Sequence, residues 1–146
     1  MGYALFAQRK IIVDGELNSA QLQQAQRANE QFALATQHTS LQQQLTSLAA
    51  AQSGELADLY GKLAEADSGD RDAINAQIKQ KEQDFQGETD RINRDVYQVA
   101  IKESAIEMEV KRLDTVVTAL QEQLDAIEQA EGKAIQRATP KFGGVG

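Results

Sequence analysis

Apolar side chains recur at every seventh residue through the second half of the chain, without interruption over nine positions. The positions three residues before them are partly apolar too, as at Val96, Val110, Val117 and Leu124. Two apolar residues per heptad place a narrow seam on one side of a helix, which predicts left-handed coiled-coil packing. The heptad seam comprises Ile78, Phe85, Ile92, Val99, Ile106, Leu113, Leu120 and Ile127, with Ala134 continuing it.

The positions three residues before the heptad-seam residues also include polar side chains. Such side chains lower the stability of a coiled coil and commonly fix the register of its helices or the number of helices that associate. Asn75, Glu82 and Glu131 are interpreted as loosely packed seam ends. Glu103 stands among good seam residues and is the candidate for a group that specifies register or partner.

The first half is predicted to be helical with a less regular apolar pattern, in which Leu34, Leu41, Leu45 and Leu48 follow steps of three and four residues. Frequent Gln supplies polar sides with good helix propensity. Between the halves, the sequence from Asp67 to Asp70 is the best turn signal, with Gly69 suited to positive φ and Asp70 to an N-cap. The sequence therefore predicts an all-α fold, a long antiparallel helical hairpin with coiled-coil packing.

Weaker breaks refine this prediction. Asp14-Gly15 followed by Asn18 and Gln21 suggests a turn and capping box, and Ser53-Gly54 could end a helix. A real break near Gly54 would give the alternative fold, a three-helix bundle. As one helical unit over 1–146, the predicted segments are an apolar N-terminal arm at 1–13, a first helix at 16–66, a turn at 67–70, a second helix at 71–137 and a Gly-rich tail at 138–146.

A second apolar row lies outside the heptad seam and indicates contact with a partner. A helix that is apolar on two sides must bury both or leave one exposed. A third helix of the same chain is the alternative cover for this row, and folding back over the hairpin is the alternative for the arm. The candidate partner-contact residues are Tyr97, Ile101, Ala105 and Met108 in the row, Tyr3, Leu5, Phe6, Ile11 and Ile12 in the arm, and Phe142 in the tail.

The composition argues against several classes of function. The net charge is −7, and no basic stripe is concentrated anywhere, which argues against nucleic acid as a partner. The chain has no Cys and one histidine, His38, for which the sequence suggests neither a catalytic partner nor a pocket. The acidic turn fails the EF-hand pattern, which needs Gly and an acidic ligand where Asp72 and Ile78 stand. We expect no enzyme activity, no cofactor or metal, and no small-molecule substrate.

The start of the chain lacks a signal-peptide pattern, and no apolar run approaches membrane-spanning length. These two features are compatible with a cytoplasmic location and with export without a cleavable signal peptide. In outline the predicted architecture resembles the Cys-free hairpin subunits of type III secretion needles and related filaments, a resemblance of architecture without a shared motif, which implies export and polymerisation. The leading hypothesis is a self-associating structural subunit of a helical filament or tube, and the alternative is a cytosolic adaptor or chaperone-like coiled coil.

Overall fold

The structure is a computed structural model that describes the backbone of residues 2–138 and the side chains of residues 4–137. It contains two helices, α1 at Gly2–Glu65 and α2 at Ser68–Ala138, which pack against each other. The predicted all-α helical hairpin is confirmed. Both helices begin earlier than the predicted spans of 16–66 and 71–137, while α1 ends one residue before 66 and α2 one residue after 137. Most of the tail, from residue 139 on, lies outside the described residues.

The connection between the helices is only Ala66 and Asp67. Asp67 is the N-cap of α2, because its Oδ1 accepts a hydrogen bond from the Asp70 backbone N at 3.1 Å and its carbonyl accepts one from Arg71 N at 3.0 Å. The expectation that Asp70 forms the cap is therefore wrong. Gly69 does not adopt positive φ. Because Asp67 caps α2 three residues earlier than predicted, the helix begins at Ser68.

α1 runs without a break through the glycines that the sequence marks as boundaries. The arm at 1–13 is thus the first part of α1, and the three-helix alternative with a break near Gly54 is not adopted. A helical Gly costs about 1 kcal/mol, whereas Val13 and Leu17, on either side of Gly15, are both buried in the core. Packing on one continuous face outweighs the propensity of a single residue.

The chain divides into two compact units. The terminal unit combines Met1–Gln31 with Ala105–Gly146. Its core residues come from both helices, and Phe6, Val116 and Leu124 pack against them half-buried. Leu113, with 1% of its surface exposed, is the most deeply buried large side chain described. The buried cluster of this unit is Val13, Leu17, Ala20, Val117, Leu120 and Ile127.

The turn unit comprises Phe32–Ser104. Leu41 on α1 packs with Ile92 and Val99 on α2, flanked by half-buried apolar side chains. Those flanking residues are Leu34, Leu45, Leu48 and Val96. Of the predicted seam residues in this unit, Ile78, Phe85, Ile92 and Val99 are all buried. In the terminal unit, Leu113, Leu120 and Ile127 are buried and Ile106 is half-buried.

α1 has a heptad seam of its own, which the apolar pattern alone does not reveal. From Val13 to Gln52 its buried and half-buried residues include a set spaced by alternating steps of four and three. Several of these positions are polar, which hides the repeat from a search for apolar residues. The α1 seam comprises Val13, Leu17, Ala20, Gln24, Arg27, Gln31, Leu34, His38, Leu41, Leu45, Leu48 and Gln52.

Candidate interaction surfaces

The second apolar row of α2 is exposed to solvent. In the turn unit, Tyr97 is 68% exposed and Ile101 is 52% exposed. In the terminal unit, Met108 is 70% exposed and Ala105 is also exposed. All four lie at outer heptad positions of α2, away from the α2 seam, so the packing of the hairpin leaves them uncovered.

The outer positions around this row contain basic residues and no acidic ones. Counted on the α2 heptad, the outer positions from 91 to 119 include Arg91, Arg94, Lys111 and Arg112 but no Asp or Glu. The nearby carboxylates sit beside the seam instead, where Glu107 pairs with Lys111 at 3.3 Å. We call these outer positions the basic-rimmed face. Arg91 pairs in the same way with Glu88 and Asp95, and Arg112 pairs with Glu109, so most of these bases are matched by carboxylates beside the seam.

The outer side of α1 carries no charge at all over a long stretch. Counted on the α1 seam, eighteen outer positions lie between 11 and 50, and every one of them is exposed. At the chain's average of 25% charged residues, about four or five would be charged, and solvated helix faces are usually richer still. The neutral face, as we call it, comprises Ile11, Ile12, Gly15, Asn18, Ser19, Leu22, Ala25, Gln26, Asn29, Phe32, Ala33, Thr36, Thr39, Ser40, Gln43, Thr46, Ser47 and Ala50.

Large apolar side chains stand exposed on the neutral face. Phe32, in the turn unit, is 77% exposed, and Leu22, in the terminal unit, is 61% exposed. The apolar pattern of the sequence gives only a weak signal here, because Phe32 falls in a thin, Ala-rich stripe with Leu17, Ala25 and Ala28, and Leu22 belongs to no apolar row. The absence of charge around them is the pattern that identifies the surface.

The predicted contact residues near the N-terminus separate into two groups. Leu5, Ile11 and Ile12 are exposed, whereas Phe6 packs half-buried against the core of the terminal unit. Phe6 is therefore placed in the chain's own packing, because it falls on the same helix face as Val13. Phe142 and the side chain of Tyr3 lie outside the described residues.

A groove of about 470 Å³ lies beside Phe6 in the terminal unit. Ile12 and Val13 of α1 and Ile127 of α2 provide its apolar walls, and Arg9 and Glu16 also line it. Lys10 pairs with Glu128 across the two helices at 3.4 Å. The groove opens to solvent and has no buried polar group that would orient a small molecule.

Polar residues of the α1 seam form hydrogen bonds across the hairpin, to Glu103 in the α2 seam and to Asp114 beside it. In the turn unit, His38 Nδ1 lies 2.8 Å from Glu103 Oε1, and Gln42 Nε2 lies 3.1 Å from His38 Nε2. A neutral imidazole with its hydrogen on Nδ1 satisfies both contacts, donating to Glu103 and accepting from Gln42. In the terminal unit, Gln24 Nε2 donates to Asp114 Oδ1 at 2.8 Å.

Glu109 and Arg112, in a charged cluster of the terminal unit, have shifted pKa values. A side-chain hydrogen bond from Arg112 lowers the pKa of Glu109, and the charges of Arg112 and Arg27 lower it further. The same hydrogen bond raises the pKa of Arg112. Arg27 donates through Nη1 to both carboxylate oxygens of Glu30, at 2.8 and 2.9 Å. Arg112 and Glu30 are exposed, whereas Glu109 and Arg27 are half-buried beside them.

Among residues 4–137, no three His, Asp or Glu side chains gather where they could hold a metal ion. Neither described helix includes a segment of the length and apolarity needed to cross a bilayer. No family model, no curated protein and no solved structure matches this chain.

Proposed function

We propose that this protein is a non-enzymatic structural subunit that associates with copies of itself through exposed apolar helix surface, as a building block of a filament or tube. The observation that carries the proposal is the exposed row on α2. Tyr97, Ile101 and Met108 are all more than half exposed, on a helix whose opposite side is already buried. Apolar surface gains about 25 cal/mol per Å² when it leaves water, so covering this row favours association.

Charge favours association through particular faces only. With a net charge of −7, two copies repel each other wherever their carboxylates meet. The basic-rimmed face and the neutral face contain no carboxylate at their outer positions. Copies that meet through these faces keep their acidic surfaces in solvent, where the charge keeps the assembly soluble.

The substitution Ile101→Glu tests the proposal. Position 101 is exposed and faces away from the α2 seam, so the change should leave helicity unchanged by circular dichroism and weaken association at least tenfold by sedimentation velocity. Gln83→Glu is the matched control, because it adds the same charge at an exposed position of α2 outside the basic-rimmed face. Its association should equal that of the original chain.

Two results would overturn the proposal. If Ile101→Glu lowers helicity, Ile101 belongs to the chain's own core. If the unmodified chain stays monomeric at every concentration, the same exposed row serves a different protein, and the adaptor function takes the place of self-association.

A further inference from the structure

We propose that the groove beside Phe6 is the docking site for the tail of the same chain, with the side chain of Phe142 lying in it. Every residue that lines the groove belongs to the terminal unit. Phe142 lies outside the described residues, so the proposal rests on the groove and on the length of chain between the two. It does not depend on the proposed self-association.

The groove is apolar at the end nearest the helix termini. Phe6 of α1 and Ala130 of α2 line this end, and the buried Ile127 lies further in. Ala130 is exposed, and its short side chain leaves room above the surface of α2. The volume of about 470 Å³ accommodates an aromatic ring. An aromatic side chain placed here would meet Phe6, and aromatic pairs are favourable beyond the area that they bury.

The end of α2 lies on the helix face that carries the groove. Gln123, Ile127 and Ala130 line the groove in steps of four and three residues, and the half-buried Ala134 is the next member of this row. The last residue of α2, Ala138, follows four residues later. The tail therefore starts from the groove side of the helix.

Pro140 makes the chain leave the helix at this point. Proline has no N–H to donate, its ring clashes with the carbonyl four residues earlier, and it disfavours helical backbone at the preceding residue, Thr139. The chain beyond Ala138 consequently does not continue along the axis of α2. A return over the groove face breaks no helical hydrogen bond.

The length of the tail matches the distance to the near end of the groove. Ala130 precedes Ala138 by eight residues, which is about 12 Å along the helix axis. Phe142 follows Ala138 by four residues, and four extended residues span at most about 13–14 Å. Phe142 can thus reach Phe6 and Ala130. It cannot reach Gln123, which lies about 22 Å from the end of the helix.

The tail of the same chain is favoured over other occupants because it is tethered beside the groove. A short flexible tether gives an effective concentration on the order of millimolar, and a tail from another copy competes only near that concentration. Phe142 is the one aromatic residue of the tail. Once docked, it would belong to the chain's own packing, as Phe6 does, and would not be a contact for a partner.

Tryptophan fluorescence tests the proposal, because the chain contains no Trp. Phe142→Trp introduces a single indole at the proposed contact. Ala130→Glu fills the near end of the groove at an exposed position, so helicity by circular dichroism should be unchanged. Docking removes the indole from water, so acrylamide should quench it about threefold less in Phe142→Trp than in the double variant Phe142→Trp/Ala130→Glu.

Two further variants identify the cause of the change. Gln129→Glu is the matched control, because it adds the same charge at an exposed neighbour of Ala130 that does not line the groove. In the Gln129→Glu background, the indole should stay as protected as in Phe142→Trp alone. Ala130→Lys should expose the indole as Ala130→Glu does, because the size of the new side chain blocks the groove whatever its charge.

A mixing experiment distinguishes the tail of the same chain from that of a second copy. Phe142→Trp is refolded from urea together with a large excess of Ala130→Glu, whose groove is blocked. The indole should stay protected, because its own groove is intact. Loss of protection in the mixture would show that the tail occupies the groove of another copy, which would overturn the proposal.

Two other results would also overturn it. The first is equal quenching of Phe142→Trp with and without Ala130→Glu. The second is quenching of folded Phe142→Trp that is as strong as in urea, which needs no groove variant to interpret. Neither result bears on self-association, which Ile101→Glu tests separately.

Discussion

The side chain of His38 on α1 forms a cross-helix contact with Glu103 on α2, with 2.8 Å between Nδ1 and Oε1. Both residues are half-buried and occupy seam positions. The polar residue that interrupts a good apolar row in α2 thus has a matching polar partner in α1. A matched polar pair in a seam favours one register over its neighbours, because a shift would leave both groups without partners.

The first prediction concerns this pair. In a double-mutant cycle of His38→Ala and Glu103→Ala, measured by urea unfolding, we expect a coupling energy of about 0.5 kcal/mol, the low end for a net hydrogen bond, because both side chains are partly exposed. His38→Ala with Asp58→Ala serves as a control cycle, because Asp58 is exposed and well separated in sequence. A coupling energy of zero between His38 and Glu103 would contradict the contact.

The second prediction compares two leucines with opposite environments. Leu113 is 1% exposed in the core of the terminal unit, whereas Leu22 is 61% exposed on the neutral face. We expect Leu113→Ala to lower the free energy of unfolding by about 2–5 kcal/mol, because it removes buried contacts and leaves a cavity. Leu22→Ala should change it by less than about 0.5 kcal/mol at concentrations where the chain is monomeric. Similar losses at both positions would contradict the assigned seam.

The third prediction tests the cap of α2. Asp67→Ala removes the acceptor of the Asp70 N–H hydrogen bond and should lower the free energy of unfolding by about 1 kcal/mol. Asp67→Asn keeps an acceptor oxygen and should restore most of this loss. Asp70→Ala should lower the free energy of unfolding less than Asp67→Ala does. A larger loss in Asp70→Ala would identify Asp70 as the cap instead.

The fourth prediction concerns ionisation in the terminal unit. The hydrogen bond from Arg112 lowers the pKa of Glu109 below its ordinary value. The stabilisation from this pair is therefore complete above the pKa of the unfolded chain and is lost as the pH falls through the lower folded value. A nuclear magnetic resonance titration of Glu109 should give a pKa below the ordinary value of a glutamate side chain, and Arg112→Gln should raise it. An unchanged pKa in Arg112→Gln would contradict the assigned cause.

The sequence predicts the hairpin because the apolar heptad of α2 is long and regular. Each residue of that repeat, from Ile78 to Ile127, lies on the packed side of the helix, where it is buried or, for Ile106, half-buried. The α1 seam is not apparent from the same search, because Gln24, Arg27 and His38 occupy seam positions. Gln24 and His38 have partners on the other helix, which a pattern within one helix cannot reveal, whereas Arg27 pairs with Glu30 of its own helix.

The helix boundaries show where local signals fail. Asp14-Gly15 and Ser53-Gly54 resemble breaks, yet α1 continues through both. The penalty for a helical Gly is local and small, whereas the packing on either side of it involves both helices.

The neutral face could be found from the sequence only with the help of the structure. It is visible in the sequence only as an absence of charge, and only after the seam has fixed which positions point outward.

Sedimentation equilibrium of the unmodified chain over a wide concentration range is the most direct test of self-association. We expect an average mass that rises with concentration above that of one 16.0 kDa chain. Added salt should not weaken association, because it screens the repulsion between chains of net charge −7 and apolar contact supplies most of the stability. A mass that stays at one chain across the whole range would contradict self-association.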